Sequence, residues 1–153
     1  MCIRDSLSII FCYPRNAGPH ETVPETWTAI PGARGCTPQA CSFRDSLTLL
    51  KQKGVHAVYG LSTQDSEYQR EAVNRLGLGY ELVSDEGLGF QRALGLPTFE
   101  WEGKTLVRRV TIAVERGKVV RVWYPVFPPD KSAEEVLDWL EERGKGRKVD
   151  VLD

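Results

Sequence analysis

The sequence predicts a single α/β domain in which a mixed β-sheet is flanked by α-helices. Segments with the character of strands alternate with segments with the character of helices, which favours an α/β architecture. Two further strands then follow each other through a short turn, which indicates a hairpin and therefore a mixed sheet. The chain has 153 residues, 41% hydrophobic and 27% charged, which suits one domain with one core.

The first predicted strand is Ser8–Tyr13, a continuous apolar run that ends at Pro14 and is expected to be buried on both faces. The stretch 15–34 that follows is rich in Gly, Pro, Thr and Asn and has no sustained period. We therefore expect a long loop, of the kind that is often functional, which Trp27 and Ile30 fix to the body of the domain.

Helices are predicted where apolar residues recur at spacings of three and four. In the first, Ala40–Lys53, this spacing relates Phe43, Leu47 and Leu50, and Gly54 ends the helix. The other predicted elements, in chain order, are a strand at Val55–Leu61, a helix at Ser66–Leu76, a strand at Tyr80–Val83, a helix at Glu86–Leu94, strands at Leu106–Val114 and Val119–Tyr124 joined by a turn containing Gly117, and a helix at Ser132–Arg143.

The two ends of the chain are expected to lie outside the domain proper, which we place at residues 7–143. Ser132 is predicted to cap the last helix, with Glu135 three residues on completing a capping box. The polar tail 144–153 is expected to be frayed. Residues 1–6 resemble the translation of sequencing-adapter read-through, so we expect them to be non-native and the domain to be truncated at its N-terminus.

Charge and composition exclude several classes of function. The net charge of −1 gives no reason to expect nucleic acid or an anionic membrane as a partner. The longest apolar runs are far shorter than the roughly 20 residues that cross a bilayer. The histidines, His20 and His56, stand alone and no C-x2-C pair occurs, so we expect neither a metal site nor a cofactor. A cytoplasmic location is the default expectation.

Cysteine chemistry is the functional signal. Of the four cysteines, Cys36 and Cys41 lie close together in the segment Gly35–Cys41. A thiol in the first turn of a helix meets unpaired N–H groups and the positive end of the helix dipole, which favours the reactive thiolate. Pro38 supports that placement, because proline is tolerated only in the first turn. Cys12, in the middle of a strand, is interpreted as a small buried hydrophobe.

Helical geometry keeps the two side chains of this pair apart. Five residues of helix rise about 7.5 Å and rotate about 500°, so the side chains of Cys36 and Cys41 diverge by roughly 140°. Disulfides rarely span Cα separations above about 7 Å. The pair therefore cannot bond while the helix is intact, and a disulfide between them requires the first turn to unwind.

A series of short motifs carries a resemblance to a known family. They are, in order, Phe11-Cys12-Tyr13-Pro14-Arg15, Gly35-Cys36-Thr37-Pro38-Gln39-Ala40-Cys41, Phe43-Arg44-Asp45, Val58-Tyr59-Gly60-Leu61-Ser62, Leu82-Val83-Ser84-Asp85 and Arg109-Val110-Thr111-Ile112. Over roughly Ile9 to Leu140 the chain resembles the peroxiredoxins, and most of all the bacterioferritin-comigratory or Q-type branch.

The resemblance implies a thioredoxin-like fold and the reduction of hydrogen peroxide or organic hydroperoxides. It implies that Cys36 is the peroxidatic cysteine, which becomes a sulfenic acid, and that Cys41 is the resolving cysteine, which condenses with it to an intramolecular disulfide. A thioredoxin-like reductant would restore both thiols. Arg109 matches the active-site arginine of the family, whose charge would hold the thiolate and orient the peroxide; its alternative is a surface ion pair.

The chain departs from the family pattern at one position. The family usually has Pro-x-x-x-Thr-x-x-Cys, whereas Ala33 lies three residues and Ala29 seven residues before Cys36. Pro14 is a candidate for the proline, followed by an insertion, and Thr37 is adjacent but out of register. We therefore expect peroxide binding to depend on backbone N–H groups and Arg109, with lower turnover.

Two other functions stay open on the sequence alone. A thioredoxin-like disulfide oxidoreductase acting on proteins would share the fold, although such proteins normally use C-x2-C, which is absent. A non-catalytic redox-sensing module is left open by Ala33. The expected partners are a peroxide and a thioredoxin-like reductant, and the expected assembly is a monomer or a weak homodimer.

Overall fold

A computed structural model describes residues 6–15, 27 and 35–152 of the chain. The strands are β1 Leu7–Cys12, β2 Val55–Ser62, β3 Glu81–Ser84, β4 Thr98–Trp101, β5 Lys104–Val107, β6 Val110–Glu115 and β7 Lys118–Trp123. The helices are α1 Cys36–Gln52, α2 Ser66–Leu76, α3 Gly89–Leu94 and α4 Ser132–Leu152, the last preceded by a 3₁₀ turn at Pro129–Lys131. Within the described ranges, no helix is both long and apolar enough to cross a membrane.

The central sheet is mixed, which confirms the predicted fold class. Its strand order is β3-β2-β1-β6-β7, with β1, β2 and β3 parallel and β6 antiparallel to both β1 and β7. Cys12, the last residue of β1, pairs with Val110, the first residue of β6. The end of β1 and the segment that precedes β6 therefore meet at one edge of the sheet, which is where the site lies.

Apolar side chains cover both faces of this sheet. On one face Ile9 and Phe11 of β1 pack with Phe43 and Leu50 of α1, and all four are fully buried. The rings of Phe11 and Phe43 stack with centroids 4.6 Å apart and planes only 5° apart. On the other face Cys12 and its neighbours pack under the segment of α3 and β5. Stacking of this kind holds α1 firmly against β1.

The predicted strand Leu106–Val114 is wrong in one respect, because it is two strands. β5 ends at Val107 and β6 begins at Val110, so Arg108 and Arg109 lie in the break rather than on opposite faces of one strand. β5 pairs instead with β4 in a separate two-stranded sheet, through a turn at Glu102 (φ 49°) and Gly103 (φ 77°). The predicted β6–β7 turn is confirmed, with Gly117 at φ 73°.

Two predicted helix starts are also wrong. α1 begins at Cys36, not at Ala40, because Gly35 takes up the left-handed conformation (φ 106°, ψ 13°) that turns the chain directly into the helix. α3 begins at Gly89, not at Glu86. There the Asp85 carboxylate accepts hydrogen bonds from the N–H groups of Phe90 (2.9 Å) and Gln91 (2.8 Å), which fixes the start of the helix later in the chain.

The last helix differs from its prediction at both ends. Ser132 has helical angles (φ −58°, ψ −45°) and its hydroxyl contacts Gln39 and Thr111, so it does not form a capping box with Glu135. The helix continues to Leu152 rather than fraying after Arg143. Gly144 and Gly146 lie inside it, and each costs about 1 kcal/mol relative to alanine, less than a proline would.

Candidate active site

Cys36 is the first residue of α1 and is only 4% exposed. The turn before it depends on a glycine for two reasons. Gly35 has a positive φ of 106°, and a Cβ built there would lie 2.6 Å from Cγ of Pro129. No other residue would fit without moving the 3₁₀ turn. The structure thus places the thiol in the first turn of a helix, as the cysteine motif predicted, although the apolar spacing predicted a start only at Ala40. At a helix start the N–H groups and the helix dipole favour a negative charge.

Arg109 reaches Cys36 from the break between β5 and β6. Its Nη2 donates a hydrogen bond to the Cys36 sulfur at 3.2 Å, although the two residues are far apart in the chain. Arg109 is 4% exposed, which excludes the alternative of a surface ion pair. A guanidinium is charged at any physiological pH, so a positively charged donor lies against the Cys36 sulfur.

The contact between Arg109 and Cys36 is extended by a chain of hydrogen bonds through three further polar residues. None of the three was assigned to the site from the sequence. Gln39 accepts from Nη1 of Arg109 at 2.6 Å and donates through its amide to the hydroxyl of Ser132 at 3.2 Å. The Ser132 hydroxyl lies 3.3 Å from that of Thr111. We call Arg109, Gln39, Ser132 and Thr111 the polar relay; all four are buried. The spacing in the sequence could have indicated two of them. Gln39 lies three residues after Cys36, which places both on one face of a helix, and Thr111 lies two residues after Arg109, the spacing of one face of an extended segment.

Cys41 lies one and a half turns further along α1 and is half-buried, so it is more accessible than Cys36 rather than less. Neither residue forms a disulfide, and the helix between them is intact. Beside Cys41, the Tyr80 hydroxyl donates to the carbonyl of Ala40 at 2.7 Å. Burial first, and then the neighbouring Tyr13 and Cys41, raise the pKa of Tyr80, which keeps this donor protonated. The helix turn around Cys41 is therefore anchored from outside.

Cys12 agrees with its interpretation as a buried hydrophobe. It is fully buried in β1. Desolvation first, and then the charge of Asp85, raise the pKa of its thiol to about 12, so it carries no thiolate at neutral pH. The positions Cys2, Ala29, Ile30 and Ala33, on which other predictions fell, lie outside the described residues. Trp27 is described and packs edge-on against Trp101, with ring centroids 5.0 Å apart.

Comparison with known families assigns the chain to a family. The family model described as Redoxin matches residues 8–137, which is most of the chain. The chain belongs to the redoxin family. The matched range contains all of β1 except Leu7, together with Cys36, Cys41 and Arg109.

This redoxin is similar to curated plant relatives. It is 36% identical over 108 residues to the chloroplastic peroxiredoxin Q of Suaeda salsa, which covers 70% of this chain and 49% of that protein. It is 33% identical over 107 residues to that of Arabidopsis thaliana, with 70% and 49% covered. These matches confirm the predicted Q-type branch. The chain spans about half the length of these curated relatives.

Solved structures support the fold of the redoxin independently. Peroxiredoxin Q of Xanthomonas campestris superposes with a TM-score of 0.70 at 22% identity, over 90% of this chain and 79% of that one. The peroxidoxin BcpB of Mycobacterium tuberculosis gives a TM-score of 0.69 at 24% identity, over 90% and 80%. The prediction of a thioredoxin-like fold is thereby confirmed.

Proposed function

We propose that this redoxin is a thiol-dependent peroxidase that reduces hydrogen peroxide or organic hydroperoxides. The observation that carries the proposal is the contact of 3.2 Å between Arg109 Nη2 and the Cys36 sulfur at the start of α1. A buried thiol that meets both a helix N-terminus and a guanidinium is suited to act as a nucleophile. The similarity to proteins named peroxiredoxin Q supports the same activity.

The proposed first step is attack of the Cys36 thiolate on one oxygen of the peroxide. The S–O bond forms as the O–O bond breaks, and the leaving oxygen takes a proton and departs as water or an alcohol. Cys36 is thereby oxidised to a sulfenic acid. Arg109 would stabilise the negative charge that develops on the two oxygens, in addition to holding the thiolate.

The proposed second step joins the two cysteines of α1. The thiol of Cys41 attacks the sulfenic sulfur of Cys36, the disulfide forms and water leaves. A dithiol of the thioredoxin kind then reduces this disulfide by thiol–disulfide exchange and is itself oxidised. Two features of Cys41 support the resolving role. Its side chain is half-buried, and the hydrogen bond of Arg109 is to Cys36 instead. Cys41 can reach Cys36 only when the first turn of α1 opens.

Peroxide binding is proposed to rely on Arg109 and on the backbone N–H groups of the first turn of α1. Ala33, at the position of the family's threonine, supplies no hydroxyl, so lower turnover than in the family stays a prediction. A cytoplasmic location, a lack of nucleic-acid and membrane partners, and a monomer or weak homodimer also stay predictions. The alternative of a protein disulfide oxidoreductase is not favoured, because the relatives named above are peroxiredoxins.

Mass spectrometry after one equivalent of hydrogen peroxide tests both cysteine roles. The wild type should form a disulfide between Cys36 and Cys41, Cys41→Ser should retain a sulfenic acid on Cys36, and Cys36→Ser should remain unmodified. Cys12→Ala is the matched control and should behave as the wild type. Peroxide consumption by Cys36→Ser at the wild-type rate would contradict the proposal, as would reduction of insulin disulfides without turnover of peroxide.

A further inference from the structure

We propose that Ser132 and Thr111 are positioning residues that determine how readily the first turn of α1 opens, and thereby the reduction potential of the Cys36–Cys41 disulfide. The inference rests on the proposed function, in which these two cysteines form that disulfide. Ser132 and Thr111 act through Gln39, the member of the polar relay that lies on the part of α1 that must unwind.

The chemistry of the donors fixes the direction of the relay. A guanidinium has donors only, so the group of Gln39 that faces Arg109 at 2.6 Å must be its carbonyl oxygen. The amide nitrogen of Gln39 then faces Ser132 at 3.2 Å, where the hydroxyl oxygen must accept. Thr111, 3.3 Å from Ser132, fixes the orientation of that hydroxyl. Each residue thus depends on the next for its orientation, from Arg109 to Thr111.

One face of α1 carries this contact. Positions 35, 39 and 42 follow the spacing i, i+4, i+7, which places them in a row along the helix. The row lies against the 3₁₀ turn and the first residues of α4, and its contacts are Gly35 with Pro129, Gln39 with Ser132, and Ser42 with the N–H of Ala133. The segment 129–133 therefore closes over the part of the helix that opens.

Opening of the first turn separates Gln39 from both of its partners. Gln39 is fully buried and Ser132 is 2% exposed, so in the folded turn these groups are satisfied by each other and not by water. The relay stabilises the closed dithiol form and contributes nothing to the open disulfide form. It therefore raises the reduction potential and makes the disulfide a stronger oxidant, in the sense that reduction restores the buried hydrogen bonds.

Loss of one relay hydroxyl should have opposite effects on the two chemical steps. Oxidation of Cys36 needs the closed turn and should slow, whereas condensation with Cys41 needs the open turn and should accelerate. A buried hydrogen bond of this kind changes an equilibrium roughly three- to tenfold. A tenfold change in the disulfide equilibrium corresponds to a shift of about 30 mV, here towards a more negative potential.

The experiment measures the reduction potential in dithiothreitol redox buffers, and both rates by stopped flow, for Ser132→Ala, Thr111→Val and Thr111→Ser. We expect Ser132→Ala and Thr111→Val to shift the potential and split the two rates, and Thr111→Ser, which keeps the hydroxyl, to restore wild-type values. Ser84→Ala is the matched control. It removes a hydroxyl that donates to the carbonyl of Gln64 at 2.7 Å, on β3 and away from α1.

A merely structural role predicts a different pattern. If Ser132→Ala and Thr111→Val lower the stability to urea but leave the disulfide equilibrium constant and both rates within twofold of the wild type, the proposal is overturned. Should Ser132→Ala fail to fold, the comparison of Thr111→Val with Thr111→Ser decides the matter. The potential is measured without peroxide, so its result stands even where peroxide does not oxidise Cys36 and the proposed function itself fails.

Discussion

Oxidation to the Cys36–Cys41 disulfide should open the first part of α1 and leave the rest of the helix in place. On the intact helix a rise of about 7.5 Å and a divergence of roughly 140° put the two Cα atoms about 8.7 Å apart. Disulfides rarely span more than about 7 Å. The two states must therefore differ in backbone conformation between these residues, and in the hydrogen bonds that the backbone makes there.

The magnitude follows from the contacts that oppose opening in the dithiol form. Three side-chain hydrogen bonds are lost, namely Arg109 with Cys36, Arg109 with Gln39, and Gln39 with Ser132. At about 1 kcal/mol for the bond between Gln39 and Ser132, and at least about 1.5 kcal/mol for each bond of the charged Arg109, they add at least about 4 kcal/mol to the free energy of opening. Since 1.4 kcal/mol is about tenfold, amides over residues 39–45 should exchange at least roughly a hundredfold faster in the disulfide form.

Hydrogen exchange followed by mass spectrometry, on the dithiol and disulfide forms, measures this difference. Residues 47–52 should keep their protection in both forms, because Phe43 stacks on Phe11 and Leu50 is fully buried. Peroxide-treated Cys41→Ser, which cannot form the disulfide, should exchange like the dithiol form. Identical exchange across residues 36–46 in the two forms would refute the requirement for unwinding.

Three further substitutions test the site and its surroundings. Arg109→Met should slow the oxidation of Cys36 by peroxide roughly 10- to 100-fold, because a hydrogen bond to a charged group contributes about 1.5–3 kcal/mol; stopped flow measures the rate. Gly35→Ala should lower the free energy of unfolding in urea by at least about 1–3 kcal/mol, since it strains a positive φ and places a Cβ 2.6 Å from a proline carbon. In the wild type the Cys12 thiol ionises above pH 9 in the unfolded chain but only near pH 12 in the folded one. Its contribution to stability is therefore complete below pH 9 and is lost at up to about 1.4 kcal/mol for each pH unit between pH 9 and pH 12. Denaturation of Cys12→Ala across that range should show a shallower loss.

Each of these expectations has an outcome that contradicts it. Arg109→Lys keeps the positive charge but loses the planar set of donors of the guanidinium. If Cys36 is oxidised as slowly in Arg109→Lys as in Arg109→Met, the loss of rate comes from hydrogen-bond geometry and not from charge. Gly54→Ala has a similar φ of 104° with nothing within 4 Å of the new Cβ, so equal costs at the two glycines would remove the role of the close contact. Parallel alkaline limbs for Cys12→Ala and the wild type would exclude ionisation of that thiol.

Local signals explain what could be predicted from the sequence. The bounds of α2, Ser66–Leu76, were predicted as they are observed, because Asp65 accepts from the N–H of Tyr68 at 2.7 Å and Gly77 takes the left-handed conformation (φ 57°) at the other end. Each of these capping residues lies within one turn of the helix end that it determines. The same holds for the β6–β7 turn at Gly117.

Contacts between segments that are distant in the chain explain which features could not be predicted from the sequence. The hydroxyl of Ser132 had a local interpretation as a helix cap, but it is used by Gln39, 93 positions away in the chain. Arg109 was found only through the resemblance to a family, since no periodicity relates a residue in a strand break to a helix start. The β4–β5 hairpin was missed, although its turn at Glu102–Gly103 has the left-handed angles that a short hairpin turn needs.

The closure of segment 129–133 over α1 has a consequence for the order in which the protein matures. Synthesis proceeds from the N-terminus, so both cysteines leave the ribosome long before Ser132 and Pro129 do. Until those late residues arrive, the row at positions 35, 39 and 42 lacks its contacts with segment 129–133. The nascent chain thus carries both thiols before segment 129–133 can close over α1. The proposed reactivity of Cys36 towards peroxide therefore depends on residues that are synthesised late.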